Sequence, residues 1–131
     1  MMRINLRACF WMTALTAFII AVGCLPTTAH ALVHHSRSYT KRMIRVEAKR
    51  AHYGPKNTAA LLWIAKRESG YRNWAVSSGG CYGVFQLSRG MARGHHWSSA
   101  RWNTRRAIRY IKHRYGSPLG AKRFWLAHRW Y

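Results

Sequence analysis

Two acidic residues, Glu47 and Glu68, stand against 23 lysines and arginines in this 131-residue chain, a formal net charge of +21. That imbalance narrows the possible folds more than any other feature. Helices here cannot be laced along their length by i,i+4 ion pairs, because only two acidic partners exist. Nearly every basic side chain must keep its charged end in water, so each element offers the core only a narrow apolar stripe. Such a chain is also drawn to any polyanion: nucleic acid, anionic lipid, lipopolysaccharide or teichoic acid. Charge alone does not choose among them.

The amino-terminal residues do. Arg3 and Arg7 precede an uncharged, mostly apolar run from Ala8 to Leu25, and Pro26-Thr27-Thr28 leads into Ala29-His30-Ala31, a small-x-small cleavage pattern. Residues 1–31 therefore read as a secretory signal cut after Ala31. Two alternatives remain, and both would leave a membrane tether. One is an uncleaved anchor, at the short edge of the ~17–25 residues that a spanning helix needs. The other is lipidation of Cys24, since Ala21-Val22-Gly23-Cys24 loosely resembles a bacterial lipobox. Export to the periplasm, cell wall or medium argues against a specific nucleic-acid partner and for the anionic polymers of the envelope. Cleavage removes two arginines, so the net charge falls from +21 to +19. Of Cys9, Cys24 and Cys81 only Cys81 would remain, which leaves no intramolecular disulfide to hold the fold. Cys81 reads as a small apolar residue rather than a reactive thiol.

Residues 32–40 show no period and read as a linker, with one small domain over 41–131. A helix is expected over 41–53, with Ile44, Ala48 and Ala51 on one face, ended by Gly54-Pro55. Asn57 or Thr58 can cap a second helix from Ala59 to about Ser69, with Gly70 as its stop. Residues 71–82 read as loop, 83–90 as a short helix or turn with Val84, Phe85 and Leu87 inward, and 91–100 as loop again. A strong helix starts at Trp102-Asn103-Thr104 and ends at Gly116; Ser117-Pro118 then caps a last helix, 118 to about 128. No strand alternation is visible, so the fold class is all-α or nearly so, about five short helices. The pairs His34-His35 and His95-His96 lack a third ligand and read as solvated surface, with no metal or cofactor expected.

One helical stripe carries chemistry. Leu61, Ile64, Ala65 and Glu68 fall at i, i+3, i+4 and i+7, so the stripe that should face the core ends in a carboxylate. An acid that loses water has its pKa raised, and one that keeps its proton near neutral pH can give it to a leaving oxygen. The competing reading is a helix-end glutamate paired with one of many arginines. Glycosidases normally use two carboxylates, ~5–5.5 Å apart when retaining and ~6.5–9.5 Å apart when inverting. The second could only be Glu47, which lies among basic residues and reads as a structural ion pair. A lone acid remains workable in one scheme. It protonates the glycosidic oxygen, the substrate's N-acetyl group stabilises the developing cation, and the same residue then deprotonates a substrate hydroxyl that closes a ring.

The residues around Glu68 fit a known pattern. Glu68-Ser69 is followed by Tyr71, Ala75, Ser77, Gly80 and the run Gly83-Val84-Phe85-Gln86; a second motif places Asn103, Ala107, Tyr110 and Ile111 in order, and a tail carries Arg114-Tyr115-Gly116-Ser117-Pro118 and Trp130-Tyr131. Residues 68–88 resemble the catalytic segment of the soluble lytic transglycosylases, lysozyme-like domains of bacterial and phage peptidoglycan-cleaving enzymes. The tail is similar to small secreted wall-lytic domains and aggregation-promoting factors. The resemblance spans about residues 58–131. It implies a lysozyme-like helical fold with a cleft and Glu68 as general acid and base. It further implies that Ser77 and Gln86 orient the N-acetyl group or the acid, that Tyr110 lines the cleft, and that Phe85 and Tyr82 shape the sugar subsites. Arg72-Asn73 stands where the family has Asn-Pro, Cys81 where it has Ala, and Ser88-Arg89-Gly90 where it has Pro and Thr. The activity implied is an exported peptidoglycan lytic transglycosylase that cuts between N-acetylmuramic acid and N-acetylglucosamine and leaves 1,6-anhydro ends. A lysozyme-type hydrolase on the same fold and a non-catalytic cationic wall- or membrane-binding protein are the alternatives.

Overall fold

The computed structural model describes residues 34–131 apart from Gly94; the signal segment, its cleavage site and Cys24 lie outside the described residues. The described chain is mostly helical: α1 (Arg37–Arg50), α2 (Pro55–Ser69), the strands β1 (Cys81–Tyr82) and β2 (Leu87–Ser88), α3 (Arg89–Ala92), α4 (Ala100–Tyr115) and α5 (Pro118–His128).

The start of α1 corrects the linker reading. Ser36 is an extended N-cap whose Oγ accepts from the Tyr39 N–H at 3.1 Å, so 37–40 already belong to the helix and Thr40 is buried. Polar residues without an apolar period hid a helix whose signal is its cap. At its other end α1 stops at Arg50, not residue 53. The second helix starts earlier than Ala59, because Gly54 caps it and Pro55 sits at the first position, where the missing N–H is no loss. Asn57 is therefore inside α2. Its Oδ1 accepts instead from the Leu119 N–H at 3.2 Å and satisfies the open first turn of α5. α4 likewise starts at Ala100, with Ser99 as the cap. α5 runs where the sequence places it, with Ser117 accepting from the Gly120 N–H and Pro118 first in the helix.

α1 packs on α2 and α4, and α5 packs on the same two helices. Their stripes meet in one core: Ile44 and Ala48, Leu61 and Ile64, Ala107 and Ile111, and Ala121. The segment read as a short helix or turn is a small hairpin that drives into this core. Tyr82 pairs with Leu87 across an antiparallel register, around the turn 83–86. Two-residue strands are too short to show alternation, which is why the sequence does not announce them.

Polar side chains hold that hairpin. Ser69 Oγ donates to the Val84 carbonyl at 2.8 Å. Asn103 Oδ1 accepts from the Phe85 N–H at 2.9 Å, and its Nδ2 donates to the Tyr82 and Trp97 carbonyls, each at 3.1 Å. The chain passes so close to Asn103 that Gly83, at φ +77, has no room for a side chain: a Cβ there would meet Asn103 Nδ2 and the Trp97 carbonyl. Asn103, in the sequence the head of a helix, is thus the post on which the hairpin hangs.

Candidate active site

Leu61, Ile64 and Ala65 are fully buried on the inner stripe of α2, and Glu68, one turn on, is half-buried. Its Oε1 accepts from the Trp125 indole Nε1–H of α5 at 2.8 Å. Burial raises the carboxyl pKa above the usual glutamate value, and the indole hydrogen bond pulls against that rise. The two acids of the chain live in opposite surroundings. Glu47, 2% exposed, accepts from Arg50 at 3.0 Å, Arg101 at 3.3 Å and Arg105 at 2.7 Å. Glu68 forms no ion pair with any described residue.

Cations lie over the faces of Trp125, its indole partner, and of the neighbouring Trp63. The Arg67 guanidinium lies 5.2 Å from the Trp63 ring centre and 5.6 Å from that of Trp125, and Lys122 Nζ lies 5.2 Å from Trp63. The two indoles meet edge to face at 5.1 Å. Trp125 thus meets a cation on its ring face and offers Glu68 a neutral donor at its edge.

On the other flank the Tyr131 hydroxyl donates to the Phe85 carbonyl at 2.6 Å. Its pKa lies well above the ordinary phenol value. Burial is the main cause, and the negative charge of Glu68 adds to it. Tyr131 is therefore a fixed neutral donor beside the acid. Tyr110 packs edge-on to Tyr131 at 6.2 Å and to Tyr115 at 6.1 Å, so it joins the same aromatic wall.

The other residues named from the resemblance fall into place differently. Gln86, at φ +47, donates through Nε2 to the carbonyls of Gly83 at 3.0 Å and Ala75 at 3.3 Å, tying the hairpin turn to the preceding loop. Ser77 is exposed, and its Oγ accepts from the Cys81 N–H at 3.1 Å, closing the Gly79-Gly80 turn. Phe85 is a correction: its side chain is fully buried in the core, so it shapes no sugar subsite, and only its backbone serves the site. Tyr82 is half-buried and edge-on to Trp97 at 5.1 Å, on a cavity that Glu68 does not line. Trp125 and Tyr131 carry the contacts that sequence reasoning did not assign. The one available signal was a donor-bearing indole on the inner stripe of α5. Among the described residues no three His, Cys, Asp or Glu side chains converge as metal ligands.

A direct test of the indole is Trp125→Phe, which keeps the ring and removes the N–H. The lost bond favoured the charged carboxylate, so the Glu68 pKa rises further in the variant. The protonated acid then persists to higher pH, and the alkaline limb of any Glu68-dependent activity moves upward. A pH–rate profile checks the sign; an unmoved or lowered limb rules out the bond as a tuner of Glu68.

Comparison of the chain with protein-family models, with curated proteins and with solved structures finds no match.

Proposed function

We propose that this chain is an exported peptidoglycan lytic transglycosylase with a lysozyme-like architecture, in which Glu68 is the single acid and base. One observation carries the reading. In a protein with 23 lysines and arginines and two acids, Glu68 has no cationic partner among the described residues and is half-buried and raised in pKa, while Glu47 takes three arginines. A structural glutamate in this chain would be expected to do what Glu47 does.

The chemistry follows from that surrounding. The Trp125 N–H fixes Oε1, and Oε2 has no partner among the described residues, so it is the oxygen that faces substrate. In its protonated form Glu68 gives its proton to the glycosidic oxygen as the bond to C1 of the muramic acid unit breaks. The substrate's N-acetyl oxygen shares the positive charge at C1. The Glu68 carboxylate then takes the proton of the 6-hydroxyl, whose oxygen bonds to C1. The acid is restored, the 1,6-anhydro ring is closed, and no water is consumed. Glu47, locked by Arg50, Arg101 and Arg105, offers water no second base, so a water attacking C1 would compete with the 6-hydroxyl for the same Glu68 carboxylate. Exposed cations on α1 (Arg42, Arg45, Lys49) and α4 (Arg105, Arg109, Lys112) would keep the protein on an anionic wall.

Mass spectrometry of the soluble fragments that the purified protein releases from peptidoglycan tests this reading. The expected products end in 1,6-anhydro-N-acetylmuramic acid. Reducing ends mean that water attacks and the protein is a hydrolase. No release from several wall types leaves a cationic wall- or membrane-binding protein as the better description.

A further inference from the structure

A concave surface lies apart from Glu68. β1 gives it Tyr82, α3 gives it Arg89, and the stretch before α4 gives it Arg93, His95, His96 and Trp97; they surround a cavity of about 400 Å³. We propose that this cavity is a binding site for a phosphate carried on a sugar or polyol.

The charge argument comes first. Both acids of the chain are engaged elsewhere, Glu47 by three arginines and Glu68 by Trp125. Arg89 and Arg93 are one helical turn apart, with the Arg93 N–H closing on the Arg89 carbonyl at 2.9 Å. Like charges at that spacing repel. Among the described residues neither guanidinium pairs with an acid, donates a side-chain hydrogen bond or lies over a ring. Two uncompensated guanidinium forks at one hollow are relieved by an anion. Each fork can engage two oxygens in parallel, and a phosphate monoester offers three where a carboxylate offers two.

The wall of the hollow suggests what carries the phosphate. Tyr82 and Trp97 meet edge to face at 5.1 Å and present flat apolar surface beside the cations. Their backbones are held by one amide, since Asn103 Nδ2 donates to both carbonyls. His95 stacks on Trp102 at 5.0 Å, which fixes the rim. A rigid apolar wall beside an anion cradle fits the carbon skeleton of a sugar or polyol with a phosphate at one end. The volume lies within the range of small-molecule sites. Sugar- and polyol-phosphate repeats are also what anionic envelope polymers are made of. The inference rests on the preceding reading only for where the protein would meet such polymers; Glu68 is not part of the cavity.

Calorimetry and the NMR signal of the Trp97 indole N–H, both on the whole protein at physiological salt, test the site. The probes are glucose 1-phosphate, inorganic phosphate, glucose and glucuronate. Glucose 1-phosphate should bind at least tenfold more tightly than the other three and shift the Trp97 signal saturably. The double variant Arg89→Gln with Arg93→Gln should lose that binding tenfold or more. The control Lys56→Gln with Lys66→Gln, which removes the same charge from exposed positions of α2 outside the cavity, should stay within twofold. Equal losses in the two variants mean attraction by net charge only and overturn the site. Glucuronate binding as tightly as glucose 1-phosphate overturns the phosphate assignment. Binding without a Trp97 shift places the ligand elsewhere, a result read on the unaltered protein. Failure of glycan cleavage leaves all of these readings untouched, so the two proposals stand or fall separately.

Discussion

Replacing Glu68 with glutamine should lower glycan cleavage by about 10³–10⁴-fold, the upper range for a general acid, because one residue serves both halves of the proposed reaction. Glutamine is the same shape, and its amide oxygen can still accept from the Trp125 N–H. It cannot give up a proton to a leaving oxygen or take one from a hydroxyl. The fold should not suffer. Burial raises the Glu68 pKa in the folded protein, so the folded form holds that proton more tightly than the unfolded form. Once pH rises through the raised pKa, the half-buried carboxylate becomes a burden on the folded state; below the unfolded value it is neutral in both states. The neutral variant should therefore match the wild type at acid pH and equal or exceed it in melting temperature at neutral pH and above. Fragment analysis and thermal melts at two pH values read both effects. Activity retained within tenfold would remove Glu68 from the mechanism.

Glu47→Gln should do the reverse. A single carboxylate, 2% exposed, gathers three guanidiniums from two helices, Arg50 of α1 and Arg101 and Arg105 of α4. Without its charge those cations face one another across the α1–α4 contact. Breaking a fully buried pair costs about 3–5 kcal/mol. The arginines here are 52, 46 and 45% exposed and can turn to water, so roughly 2–3 kcal/mol is the better figure. For a domain of this size that lowers the melting temperature by roughly 10–20 °C. Added salt should restore part of the loss by screening the remaining repulsion. A drop below about 3 °C would mean that apolar packing alone joins α1 to α4. Together the two variants separate the proposed role of Glu68 in chemistry from that of Glu47 in architecture.

Much of this division was legible before any coordinates. The period of α2 puts Glu68 on the inner stripe, the basic neighbours of Glu47 mark it as an ion-pair residue, and Ser117-Pro118 and Gly70 mark helix ends. These are local signals, read within a turn or two of the residue concerned. The features that escaped are those set by distant neighbours or by very short elements. A stripe shows that Trp125 faces inward but not that Glu68 is what it meets. The alternation of a hairpin cannot appear in strands of two residues, so 83–90 reads as a short helix or turn; the local pattern does place Phe85 inward, and only the resemblance makes it a cleft residue. Ser36 starts α1 through a cap among polar residues, where no apolar period exists to point at it.

The two bonds that finish the acid's surroundings span long stretches of chain: 57 positions separate Glu68 from Trp125, and 46 separate Phe85 from Tyr131. Contacts of that range close late, because the loop entropy must be met before they form. A partly made or partly threaded chain that has not yet presented α5 therefore carries an ordinary wet glutamate at the end of a helix. Docking of the last helix then brings the Trp125 N–H to Oε1, a bond that pulls against the rise in proton affinity that burial causes. The order of assembly thus gives the proposed acid its fixed partner only once the whole domain has closed around it.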